Sequence, residues 1–160
     1  MAGSADQQKI QRIREVQPDG SVLLRGRNIR LRIRVLKPGF LLITAKGNVN
    51  GPEDAAAEAA LLREFELELE RSGMLTIFAD LRESARMSAE SREIFVAWMR
   101  KHQGRINTAH ILVHSKLMEM AVSIVGMLAG DGVIKTYSRA QSFLEILRQT
   151  APKQTDLPTI

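Results

Sequence analysis

Asp80 and Glu83, in the stretch "FADLRES", are two carboxylates three residues apart at the end of an apolar run. A general acid and a general base would sit at such a strand end. Two carboxylates alone are a weak basis for catalysis, and the expected role of Asp80 is to accept backbone N–H groups of the adjoining loop. His110 and His114 are four apart. On one strand they share a face at roughly 13 Å, too far to hold one metal ion. A second kind of chemistry belongs to the serines. Ser88, Ser115 and Ser138 each stand where a strand-like segment gives way to a helical one, and an N-cap hydroxyl there accepts a first-turn N–H for about 1 kcal/mol. Ser138 and Gln141 have capping-box spacing. A helix start also attracts anions, which makes Ser88 and Ser115 candidates for an anion site and Ser88 and Ser91 candidates for phosphorylation. Glu90, beside them, is a fixed negative charge in the first turn. No glycine-rich phosphate cradle accompanies these residues, so neither a cofactor nor a metal is expected.

The remaining charged feature is a row. "IRLRIRVL" alternates with period two, which puts Ile29, Leu31, Ile33 and Val35 on one face of a strand and Arg30, Arg32 and Arg34 on the other. Such a row either protects an edge strand against unwanted pairing or forms an electropositive stripe for a partner. An acidic protein is the favoured partner. A membrane surface is a less favoured one, and nucleic acid is not expected because no helix is notably basic and aromatic residues are few.

Several elements must carry these residues. Lys37-Pro38-Gly39 is a turn joining the arginine strand to "FLLITAKG", so the two make a hairpin. Pro52, with Glu53 beside it, starts a helix that runs to Arg71, its apolar positions being Ala55, Ala59, Leu62, Phe65 and Leu69 with Leu61 on the flank. "MLTIFADL" is a buried strand, and a helix follows from Ser88 to His102. "INTAHILVH" is a strand, "SKLMEMAVSIVGMLAG" a helix, "GVIKTY" a short strand, and "SRAQSFLEILRQT" the last helix. The helix with Met118, Met120 and Met127 has an apolar surface wider than one core stripe requires, which implies deep burial or contact with a partner, a lipid or a second copy of the chain. The order β-β-α-β-α-β-α-β-α predicts an α/β fold, a mixed sheet of about five strands, parallel apart from the hairpin, with four helices.

At 160 residues the chain fits one domain. Residues 1–37 hold nine Lys/Arg against three Asp/Glu, and the remainder fourteen against fifteen. The basic character therefore belongs to the N-terminal quarter. Residues 1–28 read as a basic extension, either extra strands around Pro18-Asp19-Gly20 or a mobile arm; 29–150 form the domain, and 151–160 a flexible tail. The chain has no cysteine, so disulfides, thiolate metal sites and a cysteine nucleophile are excluded and a cytoplasmic location is expected. No apolar stretch approaches the roughly 20 residues of a membrane span.

The element order, together with "IFADLRESARMSAES" at its centre, resembles the STAS family, the sulfate-transporter and anti-sigma-factor-antagonist domains, in its divergent STAS-like branch. The resemblance covers about residues 29–150. In that family a strand ending Asp-Leu-Ser leads to a hydrophobic residue and Asp-Ser-Ser-Gly at a helix start, where the first Ser is phosphorylated by a partner kinase. The spacing from Asp80 puts the hydrophobic residue at Met87 and the four motif positions at Ser88, Ala89, Glu90 and Ser91. The phosphorylated position is thus Ala89, which has no hydroxyl. The resemblance implies a non-enzymatic regulatory domain of bacterial signalling or stress regulation, acting by protein–protein interaction through Asp80, Ser88, Glu90 and Ser91. The alternative from the residues themselves is a domain that binds a small anion or lipid-like molecule at the helix starts.

Overall fold

The computed structural model describes residues 13–130, 132–153 and 157. Seven strands form one sheet: β1 Arg14–Val16, β2 Val22–Arg25, β3 Ile29–Lys37, β4 Phe40–Gly47, β5 Leu75–Glu83, β6 Ile106–Leu112 and β7 Ile134–Tyr137. Their spatial order is the order of the chain. Strands β1 to β4 pair antiparallel and β4 to β7 parallel. The expected five strands are corrected to seven, because residues 14–16 and 22–25 close a hairpin around Pro18-Asp19-Gly20 and continue the sheet beyond the arginine strand. The expectations for residues 1–12 and for most of the tail lie outside the described residues.

Four helices connect or flank the strands: α1 Pro52–Ser72, α2 Ala89–Lys101, α3 Lys116–Ala129 and α4 Ala140–Thr150. Three successive parallel crossovers of one hand place α1, α2 and α3 on the same side of the sheet. There Leu31, Ile33, Ile43 and Ile77 meet Leu62 and Phe65 of α1 and Trp98 of α2, while Met118 and Val122 of α3 meet Val113. After β7 the chain passes to the other side, where Phe143 and Leu147 of α4 close over Leu42, Phe78 and Leu112. Alternation along β5 explains the division: Ile77 and Ala79 point to the three helices, Phe78 and Asp80 to the α4 side.

The helix starts differ in detail from expectation. Ser88 and Ser115 cap α2 and α3, accepting from the N–H of Ser91 at 3.1 Å and of Met118 at 3.0 Å. Ser138 does not cap α4: β7 runs to Tyr137, the chain needs two residues to turn, and Arg139 occupies the N-cap without a side-chain bond. On α1 the buried face is rotated from the expected one. Ala55 and Ala59 are exposed, and Asp54, Ala57, Glu58 and Leu61 face inward with Leu62, Phe65 and Leu69.

Asp54 is the cause of that rotation. Its carboxylate accepts from the Asn28 backbone N–H at 2.7 Å, the Asn28 side chain at 2.9 Å and the Asn50 N–H at 2.9 Å. Burial alone would raise its pKa, yet these donors outweigh it and hold the group below the usual carboxylate value. The lock ties the start of α1 to the β2–β3 turn. It leaves no room for side chains on its glycines: a Cβ on Gly26 would strike the Asp54 carboxylate, and one on Gly47, at φ +89°, would strike the Asn28 carbonyl.

Candidate functional site

Asp80 does not end its strand. β5 continues to Glu83, and the Asp80 carboxylate, buried on the α4 side, is gripped by Arg82 two residues on. The Arg82 side chain donates at 3.0 and 2.9 Å, and its backbone N–H at 3.2 Å. The expectation that Asp80 binds amides of the loop leading to α2 is corrected in this respect. A residue two positions along a strand shares a face with it, so Arg82 reaches Asp80 before any loop amide can. Glu83 is exposed, at a strand end whose neighbouring acid is already paired. The two acids do not form an acid/base couple.

The loop beyond is organised by other groups. The Asn48 side-chain oxygen accepts the N–H of Ala85 at 3.0 Å and of Arg86 at 3.1 Å, and the Ser84 hydroxyl donates to the Gly47 carbonyl at 2.7 Å. The Ser115 hydroxyl also donates to the carbonyl of Ala85. Each of these bonds joins the C-terminal ends of neighbouring strands. Both candidate anion serines, Ser88 and Ser115, are thereby committed to capping.

Ser91 is 2% exposed. Its side chain accepts from the Ser88 hydroxyl at 3.0 Å and bonds the carboxyl of Glu58 on α1. The result is a short relay, Ser88–Ser91–Glu58, that joins α2 to α1. Burial pushes the Glu58 pKa up, and the Ser91 hydrogen bond only partly opposes it. Glu58 was not among the residues singled out from sequence; an acid inside a run of alanines and leucines was the available signal. Of the motif positions, Ser88, Ala89 and Glu90 are exposed at the start of α2, and Ser91 is not.

The histidines separate. The Nδ1 atom of His110 lies 2.8 Å from the Tyr137 hydroxyl and its ring stacks on Phe78 at 4.7 Å, while His114 is exposed beyond the strand end. Burial first, and the charge of Lys135 second, lower the His110 pKa, so the ring is a neutral core group on the α4 side.

Arg30, Arg32 and Arg34 also stand on the α4 side, next to β2 and β4. Arg30 is exposed, but Arg32 and Arg34 are half-buried and Arg34 is paired with Asp19 at 2.6 Å. The row faces away from α1, α2 and α3, so it and the Ser88 helix start do not form one surface.

The α2–α3 surface has a different character. Leu117, Met120, Met127 and Leu128 are exposed, Met127 at 74%, and with half-buried Ile124 they follow helical spacing along the outer side of α3. The inner side carries Met118, Ala121, Val122, Val125 and Ala129. Helix α3 thus has two apolar faces, and only one enters the core. Beside the outer face, a groove toward α2 is lined by Arg92, Glu93, Val96, Arg100, Ile124 and Leu128.

No family model matches this chain, and no curated protein matches it. Among solved structures it is similar to the crystal structure of an anti-sigma factor antagonist from Mycobacterium paratuberculosis. The TM-score is 0.50 and the identity 14%, over 84% of this chain and 99% of that one. The fold is therefore STAS-like, that of an anti-sigma factor antagonist.

Proposed function

We propose that this chain is a non-enzymatic STAS-like regulatory domain that acts by binding another protein, in bacterial signalling or stress regulation. The observation that supports this reading best is the second apolar face of α3. A large apolar stripe left in water is unfavourable for a lone soluble domain and marks a place where another surface docks. Methionine suits it, because an unbranched, polarisable side chain adapts to its partner. Arg92, Glu93 and Arg100 border the groove, so the partner is an amphipathic protein segment with apolar side chains and charged groups at its edges. The similar fold of an anti-sigma factor antagonist favours a protein partner over a substrate. Asp80, held by Arg82, has a structural role here, and Ser88, Ala89 and Glu90 border the docking surface without a hydroxyl at the family's phosphorylated position. Binding is then set by the partner's availability, with Glu90 supplying a permanent charge.

The test is a charge placed on the stripe. A purified partner identified by cross-linking should bind the domain in reconstitution, and Met120→Glu combined with Met127→Glu should weaken binding at least tenfold with an unchanged far-UV spectrum. Undiminished binding by that double variant would overturn the reading. So would sedimentation showing that the stripe joins two copies of this chain.

A further inference from the structure

A second feature lies on the same side of the sheet but beneath the helices. A cavity of about 140 Å³ runs between the strands and α1, α2 and α3. Its origin is legible in the packing. Ala45, Ala79 and Ala109, on three adjacent strands, form a low floor. The backbone of α2 packs against α3 and comes close to no strand over any length, so α2 reaches the sheet only through long side chains such as Phe95 and Trp98. Small residues below and a raised helix above leave a gap that the core does not fill.

Along β5 the cavity is lined by Ile77, Ala79 and Leu81, and across the sheet by Leu31 of β3 and Ile134 of β7. Its outer end lies at the C-terminal ends of β4 and β5, where Gly47, Asn48, Ser84 and Arg86 line it. Ligands of open α/β sheets enter at this end. Arg86 is exposed and has no ion-pair partner among the described residues. The inner end reaches Phe65, Trp98 and Ile106. Trp98 is 7% exposed, and its indole N–H is buried with no hydrogen-bond partner, a state that most buried donors avoid. Between the ends, Glu58 and Ser91 are the polar groups of an otherwise apolar wall.

We infer that this cavity holds the chain of a single-tailed anionic amphiphile, with its acid head at the mouth against Arg86. The apolar lining, with a cation at its mouth, suits an apolar tail that carries one acid. A dry apolar cavity of about 150 Å³ accommodates a molecule the size of benzene, so the enclosed part is short, about six to ten carbons. The inference is independent of the protein-docking surface, which lies on the outside of α3.

Trp98 is the only tryptophan of the chain and lines the cavity, so its emission reports occupancy directly. Hexanoate, octanoate and decanoate, each below its micellar range, should change that emission saturably. Affinity should rise by about fourfold per added methylene until the cavity is full. Calorimetry provides the independent reading. Arg86→Ala should weaken octanoate by about fivefold and leave octanol unchanged. Ala79→Leu should fill the floor and abolish binding of both; if that variant fails to fold, Ala109→Val is measured in its place. The assignment is overturned by a response that does not saturate, by affinity that does not depend on chain length, or by full binding in the filled and folded variant. Equal binding of octanoate and octanol, unaffected at Arg86, overturns the acid head.

Discussion

Glu58 and Asp54 are one helical turn apart, both buried, and opposite in behaviour. Asp54 meets at least three donors and is held ionised, whereas Glu58 has the Ser91 side chain and little else. The distinction was not visible in "PEDAAAE", because the donors arrive from Asn28 and Asn50, which only the folded chain brings near. It has a measurable consequence. A carboxyl whose folded-state pKa is raised binds its proton more tightly in the native state, so it contributes stability at low pH that is lost as pH rises from its ordinary value of 4.5 through the folded value. Glu58→Gln should therefore match the parent in stability below about pH 4 and exceed it increasingly above pH 4.5. Urea midpoints measured across that range check this; a constant difference at all pH values would mean that Glu58 is not the titrating group. Among the functional candidates, Ser88 and Ser115 were recognisable as caps because the N-cap signal is local. The partner of Asp80 is not legible in the sequence, since nothing in "FADLRES" marks that the strand runs on past the acid to Glu83.

At the level of elements, periodicity carried most of the information. The alternation of β3 and the helical spacing of α3 both survive in the structure, and the unexplained breadth of α3's apolar surface became the exposed stripe. The two short strands before residue 29 are not fixed by the sequence, because three or four residues cannot establish a period. Helix α4 shows what one element can do alone. It is the helix that covers the reverse side of the sheet, and Phe143 is fully buried there, edge-on to Phe78 at 5.9 Å and to Tyr137 at 5.8 Å. Phe143→Ala removes the centre of this small cluster and should destabilise the domain by about 3–5 kcal/mol. Thermal or urea unfolding followed by far-UV circular dichroism gives the value, and a loss under 1 kcal/mol would show that the cluster is dispensable.

Across the whole molecule, the STAS-like architecture is legible from element order together with the Asp80-Leu81 strand and the helix start that follows it, while the space beneath α2 is not. A cavity depends on how far one helix stands from a sheet, and no residue pattern states that distance. Protection of backbone amides should follow the architecture. β4, β5 and β6 are flanked on both sides and buried; β1 is three residues long, exposed throughout, and the last strand of the sheet at its end. Hydrogen exchange should be slowest in β5 and fastest among the strands in β1, with β7 intermediate. A β1 as slow as β5 would require further cover on that edge.

Strand succession in space repeats succession in the chain without a single skip. Each new strand therefore finds its template already present, and none has to be held unpaired until a later one is made. During synthesis from the N-terminus, the growing sheet can accept strands one by one as they leave the ribosome. The apolar strands of the parallel half then spend little time as naked edges.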